Sequence, residues 1–148
     1  MIMTSAGTTL KIATGKPTTY DAAGFGAVTP LTAVGEITDL GEFGTEYTTV
    51  DHVALGSRQK RKFKGSFDNG SLQLQMGRDV TDVGQIALRA ALASDASYTF
   101  CVTFQDGSKN FFTGKVMSYK SSVGSVDQIT GATTTVEIDS NIVEVPAV

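Results

Sequence analysis

Five cationic side chains lie close together in the stretch SRQKRKFKG, residues 57–65. The rest of the chain is acidic, because only seven other Lys and Arg residues stand against 15 Asp and Glu. Five cations beside Phe63 and Phe67 could bind phosphates while the rings stack on bases. A cationic stretch on an acidic body is also typical of a protein that binds copies of itself. This basic segment consists of Arg58, Lys60, Arg61, Lys62 and Lys64.

The other predicted strands favour self-association over nucleic-acid binding. Their exposed faces carry Thr, Gln and carboxylates, where a nucleic-acid platform would carry Arg and aromatic rings. The net charge of the whole chain is −3. Single-stranded nucleic acid stays open as an alternative partner, and a steep loss of binding with salt would support it.

Residues suited to catalysis are sparse. His52 and Cys101 are the sole residues of their types, so a nucleophile with a neighbouring base would have to use His52 beside Asp51. Serine-hydrolase, zinc-protease, phosphate-loop and CxxC patterns are absent from the sequence. Carboxylates cluster between Glu36 and Asp51, but their spacing does not require two of them to face each other, as a glycosidase needs. We therefore expect no enzyme activity, no metal and no cofactor.

The length and composition predict one β-rich domain. The chain has 148 residues, 41% of them hydrophobic, with 16 Gly and no Trp. Residues 1–32 are rich in Thr, Gly and Ala and are interpreted as an N-terminal arm or loop region. Residues 33–148 are interpreted as the β domain, with an extended loop at about 52–66. The start lacks the order of a secretory signal, and no apolar run is long enough to span a membrane. With one cysteine, we expect no internal disulfide and a reducing cytoplasm as the place of folding.

Turn signals in the first half of the chain predict two hairpins. AVGEITDL and TEYTTVD are short strand candidates joined by GEFG. The triplet DNG at residues 68–70 predicts a type I′ hairpin turn, because Asn-Gly suits both positive-φ positions. The strand that follows alternates Leu72, Leu74 and Met76 with polar residues, which indicates one buried face.

The second half contains the one convincing helix and a clear hairpin. TDVGQIALRAALAS, residues 81–94, predicts a helix that Asp82 caps, with Gln85 three residues on to complete a capping box. SYTFCVTFQ alternates apolar with small residues and turns at DG into KNFFTGKVMSYK. The last strand, GATTTVEIDSNI, also alternates. About seven strands and one helix in this order predict a mainly β fold, an antiparallel β-sandwich or barrel with one flanking α-helix.

The order of these features resembles the major tail tube proteins of long-tailed bacteriophages with non-contractile tails. The matching stretches are AVGEITDL, EYTTVDHVALGSRQKRKFKGSFDNGSLQLQM, VGQIALRAAL, YTFCVTFQDGSKNFFTGKVMSY and TTTVEIDSNI. In particular, TTVDH, a long arm, a Gly near 65 and DNG before an alternating strand are similar to the family's T-x-x-D…G…D-x-G-x-L pattern. The resemblance covers about residues 33–142.

The resemblance implies a structural role in the virion. Subunits of the family form hexameric rings that stack into a tube, and the genome passes down the lumen during ejection without specific binding. The implied partners are other copies of the chain, the tape measure protein, the tail terminator and tail-tip proteins, with no membrane. The implied location is the phage tail, assembled in the host cytoplasm. The runner-up interpretation is an all-β binding module, adhesin-like or carbohydrate-binding.

Within such a tube, the basic segment would meet carboxylates of the next subunit and set the stacking register. Positive groups in the lumen would hold phosphates, so acidic and neutral polar residues are expected there. The predicted subunit-interface residues are Arg58, Lys60, Arg61, Lys62, Lys64, Asp51 and His52. The predicted lumen-facing residues are Glu36, Thr38, Thr99, Thr103 and Gln105.

Overall fold

The computed structural model describes residues 2–147. Within that range the chain forms ten strands and two helices, which confirms the predicted mainly β fold class. The count exceeds the predicted seven because several strands are only three residues long and carry no readable alternation. The elements in chain order are β1 (Thr9–Ala13), α1 (Ala22–Gly26), β2 (Thr32–Val34), β3 (Ile37–Asp39), β4 (Glu46–His52), β5 (Arg61–Asp68), β6 (Ser71–Gly77), α2 (Val83–Ala93), β7 (Tyr98–Thr103), β8 (Lys109–Ser122), β9 (Gly131–Ile138) and β10 (Val143–Val145).

One antiparallel sheet contains eight of these strands. They run in the order β2, β1, β7, β8, β9, β6, β3, and β10 pairs with the beginning of β8. The end strands β2 and β3 are neighbours in the chain, separated only by Gly35 and Glu36. The sheet therefore curls until its two ends approach each other, which makes it barrel-like and leaves little free edge.

Side chains at the start of α2 form hydrogen bonds with the short connection where the two ends of the sheet meet. The carboxylate of Asp82 accepts hydrogen bonds from the backbone N–H groups of Gln85 and Gly35, each at 3.0 Å, so the predicted cap is confirmed. The predicted capping box is wrong, because the buried Gln85 side chain points elsewhere. Its amide nitrogen donates to the carbonyls of Gly35 and Gly77, and its oxygen accepts from the backbone N–H of Asp79.

The main hydrophobic core lies between the curled sheet and α2. From the helix, Leu88 and Ala91 are buried in it. The alternation predicted for the strands now called β6 and β9 is confirmed, since their apolar residues point inward. Each large apolar side chain buried in this way contributes about 1.5–3 kcal/mol of transfer free energy. The buried strand residues include Leu10, Ile12, Leu72, Leu74, Phe100, Phe112, Val116 and Val136.

A second layer covers the other face of β7 and the start of β8. Phe25 of α1 stacks on Phe111 with ring centroids 5.5 Å apart, and Cys101 completes this small cluster. On the β7 face opposite Phe100 and Val102, Thr99 and Cys101 are both buried, because the segment around α1 and strand β10 pack over them.

The segment 1–32 contributes a strand to the main sheet. β1 lies between β2 and β7, and its Leu10 and Ile12 are fully or almost fully buried. Met1 lies outside the described residues. The division of the chain into 1–32 and 33–148 stays a prediction, although β1 shows that part of the first segment is built into the fold.

The pairing of the hairpin candidates differs from the prediction at two places. The GEFG connection does not form a hairpin, because β3 pairs with β6 while β4 pairs with β5. The DNG turn exists but does not pair its flanking strands, and Gly70 alone in it has positive φ, at 86°. There the Asp68 carboxylate accepts from the Gly70 N–H at 2.9 Å. The hairpin predicted around the second DG is confirmed by the pairing of β7 with β8.

Candidate subunit interface

Strands β4 and β5 form a two-stranded ribbon that joins no other strand among residues 2–147. We call the segment Glu46–Asp68 the arm. Every residue in it is exposed except Gly65, which is half-buried. The predicted extended loop at 52–66 lies within the arm, although only residues 53–60 are irregular. A lone hairpin is marginally stable in water, so an arm without a core of its own is suited to being covered by a partner.

Register gives the arm two different faces. On one face Val50 lies opposite Phe63, and His52 lies opposite Arg61. On the other face Asp51 lies opposite Lys62, because successive side chains of a strand alternate between the two sides. The first face therefore combines apolar and charged groups, as the surfaces of subunit contacts do.

A bulge near the foot of the arm brings two aromatic rings together. The register shifts between Tyr47 and Thr49, so that Tyr47 faces Phe67 with ring centroids 5.3 Å apart. The Lys64 Nζ lies 4.8 Å from the centre of the Tyr47 ring, a cation–π contact. Gly65 allows β4 and β5 to lie close together at the bulge, because a Cβ at this position would be only 2.9 Å from the Val50 Cγ2. The sequence shows the aromatic residues but not this pairing, since it depends on the bulge.

Three of the five cations in the basic segment form neither an ion pair nor a cation–π contact within the described range. Lys60 forms an ion pair with Asp51 at 3.7 Å between Nζ and Oδ2, with both side chains about half exposed. Such exposed pairs contribute about 0–1 kcal/mol. Arg58, Arg61 and Lys62 form no ion pair with any residue in the described range. The structure thus leaves three cations available to a partner.

The predicted lumen residues fall into two groups. Glu36 and Thr38 are exposed around β3, and Gln105 is exposed just beyond β7. Thr103 is half-buried, with its hydroxyl 3.7 Å from the Cys101 sulfur. Thr99 is fully buried and donates a hydrogen bond to the Gly15 carbonyl at 2.6 Å, so its side chain does not reach the surface of this chain. Whether the exposed members line a lumen stays a prediction.

A carboxylate that sequence reasoning did not single out ties three strands together. Asp139, just after β9, accepts hydrogen bonds from the hydroxyls of Ser97 and Thr113 and pairs with the Lys115 ammonium at 3.0 Å. Partial burial alone would raise the pKa of Asp139. The hydrogen bonds and the ammonium outweigh that effect, so its pKa lies below the ordinary value. This arrangement links the start of β7, strand β8 and the end of β9.

Two further observations concern the described range as a whole. Residues 2–147 contain no group of three or more His, Cys, Asp or Glu side chains placed to hold a metal ion. None of the helices formed there is long and apolar enough to cross a membrane.

Three solved structures contain chains of similar fold. A chain in the six-fold symmetrised structure of the anti-feeding prophage baseplate has a TM-score of 0.75 and 7% identity, covering 98% of this chain and 96% of that one. The SPP1 tail tube has a TM-score of 0.63 and 12% identity, covering 93% and 75%. The sheath/tube terminator of the extracellular contractile injection system PVC, in its extended state, has a TM-score of 0.67 and 9% identity, covering 99% and 98%. No family model and no curated protein matches the chain.

At such low identities the matches show a shared fold. The chain has a tail-tube-like fold, found in tail and baseplate structures of phages and phage-like injection systems. The resemblance is thereby confirmed at the level of the fold, and the narrower assignment to phages with non-contractile tails stays a prediction.

Proposed function

We propose that this protein is a structural subunit of a phage tail tube, which polymerises as stacked hexameric rings and forms the conduit for genome delivery. The observation that carries the proposal is the arm. It is an exposed ribbon with unpaired cations and half-exposed aromatic rings, and it projects from a barrel-like domain with a tail-tube-like fold. Burying such a surface requires a partner of complementary shape and charge.

In the proposed tube the arm contacts a neighbouring subunit. Its interface residues are Arg58, Lys60, Arg61, Lys62, Lys64, Asp51 and His52. Single exposed ion pairs are weak, but several pairs repeated around a ring and shielded from water set the register and direction of stacking. The acidic remainder of the chain supplies carboxylates for these cations.

The exposed polar residues around β3 and beyond β7 are the proposed lumen lining. Glu36, Thr38 and Gln105 belong to this set, the half-buried Thr103 at the end of β7 is added to it, and Thr99 is left out because it is buried. Acidic groups repel phosphates and neutral polar groups do not attract them, so DNA would pass without specific binding.

Further partners of the proposed tube are the tape measure protein, the tail terminator and tail-tip proteins. The tube belongs to the virion and would be assembled in the host cytoplasm.

Negative-stain electron microscopy of the purified protein at rising concentration tests the proposal. The unaltered chain is expected to form rings or hollow tubes, and the triple variant Lys60→Glu, Arg61→Glu, Lys62→Glu is expected to stay dispersed. A control with the same change in net charge outside the arm, Lys16→Glu, Lys109→Glu, Lys120→Glu, is expected to assemble. Dispersed monomers from the unaltered chain, even with preformed tail ends as initiators, would contradict the proposal. An arm variant that assembles but loses DNA binding would favour a nucleic-acid binder.

An all-β binding module is the second candidate. The pairing of the half-exposed rings of Tyr47 and Phe67 favours it, because sugar rings stack on exposed aromatic side chains. Binding to a panel of immobilised glycans, lost on Tyr47→Ala and Phe67→Ala, would support this candidate. No glycan binding together with tube formation would eliminate it.

A further inference from the structure

A cleft with a volume of about 320 Å³ lies beside β3, and Phe43 in its lining is three residues before the arm begins. Its polar rim includes Thr38 and Asp39. An apolar cavity of about 150 Å³ already accommodates benzene, so this cleft has room for an aliphatic side chain. Thr4, Ser5 and Thr8 of the N-terminal segment also line it, and its apolar lining is formed by Met3, Ile37, Leu40, Phe43, Val102 and Phe104.

The tip of the arm carries exposed apolar side chains that complement the apolar lining of the cleft. Leu55 at the tip is fully exposed, and Val53 beside it is half exposed. The tip forms a tight turn, in which the Ser57 N–H donates to the Ala54 carbonyl at 3.1 Å. A fully exposed leucine at the end of a projecting ribbon contributes nothing to the core of its own chain, and it gains free energy only when another surface removes it from water.

The tip of an arm cannot reach the cleft of its own chain. From Glu46 to His52 the strand rises about 3.3 Å per residue, which places the end of the ladder roughly 20 Å from the foot, and the tip lies beyond it. The pairing with β5 keeps the ribbon extended along this length. The cleft and the tip of one chain are therefore at opposite ends of the arm, and they can meet only between copies.

Charge favours the same contact. Asp39 stands on the rim of the cleft, and Glu42 follows it in the exposed connection to the arm. Arg58, which has no ion pair among the described residues, and Lys60 lie a few positions after Leu55. An apolar tip flanked by cations thus matches an apolar cleft flanked by carboxylates.

We propose that Leu55 at the arm tip of one copy inserts into the cleft beside β3 of a second copy, with Arg58 of the first near Asp39 of the second. This inference rests on the proposed function and names the surface that receives the arm. Because tip and cleft are different patches, the contact joins copies head to tail. Repetition of such a contact generates either a closed ring or an open stack.

Disulfide trapping in the full-length protein tests the contact. Leu55→Cys is combined with Ser5→Cys, an exposed position in the cleft lining, while the native Cys101 is buried and does not interfere. Mild oxidation of assembled protein is expected to yield a ladder of covalently linked chains on a denaturing gel. The matched control, Leu55→Cys with Ala90→Cys on the exposed side of α2, is expected to yield no ladder.

A second variant separates docking from folding. Leu55→Asp is expected to raise the concentration needed for assembly at least about tenfold, which corresponds to about 1.4 kcal/mol per contact. Val126→Asp, at a fully exposed position in the β8–β9 connection, is the control and should assemble normally. Circular dichroism checks that both variants stay folded.

The outcomes of the two tests distinguish the inference from the proposed function. Tubes of normal appearance that give no ladder, together with normal assembly of Leu55→Asp, would overturn the docking inference and leave the tube proposal standing. A ladder from the paired cysteines with loss of assembly in Leu55→Asp would support both. No rings or tubes from the unaltered chain and no ladder from the cysteine pair would overturn both.

Discussion

Glu46 lies directly opposite Asp68 in the register of the arm, so two carboxylates stand side by side at its foot. Both side chains are exposed, and neither forms an ion pair within residues 2–147. Like charges directly opposite one another weaken strand pairing. A cation from a second copy would relieve this repulsion, so the arrangement suits an assembled state better than an isolated chain.

Removing one of these charges is expected to affect assembly and folding in opposite directions. Glu46→Gln should leave the free energy of unfolding unchanged or raise it by up to about 0.5 kcal/mol, because the repulsion is lost. The same change should weaken assembly at low salt, where carboxylate–cation attraction is least screened. Denaturant unfolding and sedimentation at two salt concentrations measure the two effects. Glu144→Gln, at an exposed position on β10, is the control, and an equal loss of assembly in both variants would contradict the prediction.

Gln85 is expected to be essential for closing the sheet. Gln85→Leu keeps the side chain close in size but leaves the carbonyls of Gly35 and Gly77, the Asp79 N–H and the Tyr119 hydroxyl without this partner. A fully buried polar group left unsatisfied costs about 1–3 kcal/mol, but the residues of these four groups are only half-buried, so a loss of about 2–4 kcal/mol in unfolding free energy is expected. Thermal and denaturant unfolding measure it. The same substitution at the exposed Gln73 should change stability by less than about 0.5 kcal/mol.

Asp139 is expected to contribute stability that depends on pH. Its pKa in the folded chain lies below the ordinary value of an aspartate, because the hydrogen bonds from Ser97 and Thr113 and the Lys115 ammonium outweigh the effect of burial. A lowered folded-state pKa means that this stability is fully present above the unfolded-state pKa of about 3.9 and is lost as pH falls through the folded-state value.

The variant Asp139→Asn should therefore be less stable than the unaltered chain at neutral pH, by about 1 kcal/mol because the site is partly open to solvent. The difference should shrink as pH falls from the unfolded-state pKa towards the lower folded-state pKa, because Asp139 becomes protonated first in the unfolded chain and then in the folded chain. Denaturant unfolding at a series of pH values measures it, with Asp127→Asn in an exposed connection as the control. A difference that stays constant down to pH 2 would show that the lost charge is not the cause.

Features that depend on neighbouring residues were predictable from the sequence. Asp82 caps α2 as predicted, since a cap needs only the side chain and the backbone three residues on. The hairpin of β7 and β8 and the inward alternation of β6 and β9 follow from short patterns with a suitable turn. The basic segment was also visible as a separate charge group, because its members are close in sequence.

Features that depend on distant pairing were decided by the tertiary structure. The segment GEFG looks like a hairpin connection, yet β3 pairs with β6 and β4 with β5, because the ends of the main sheet meet at Gly35 and Glu36. Thr99 has the alternation of an outward residue, but a second layer around α1 buries it. The contact of Tyr47 with Phe67 depends on a β-bulge that no local sequence pattern predicts. The sequence by itself thus determined the elements and the segregation of charge, whereas only the tertiary structure decided which strands pair and which residues remain exposed. The physical reason is that strand pairing and burial depend on contacts between residues far apart in the chain, which one strand's alternation does not specify.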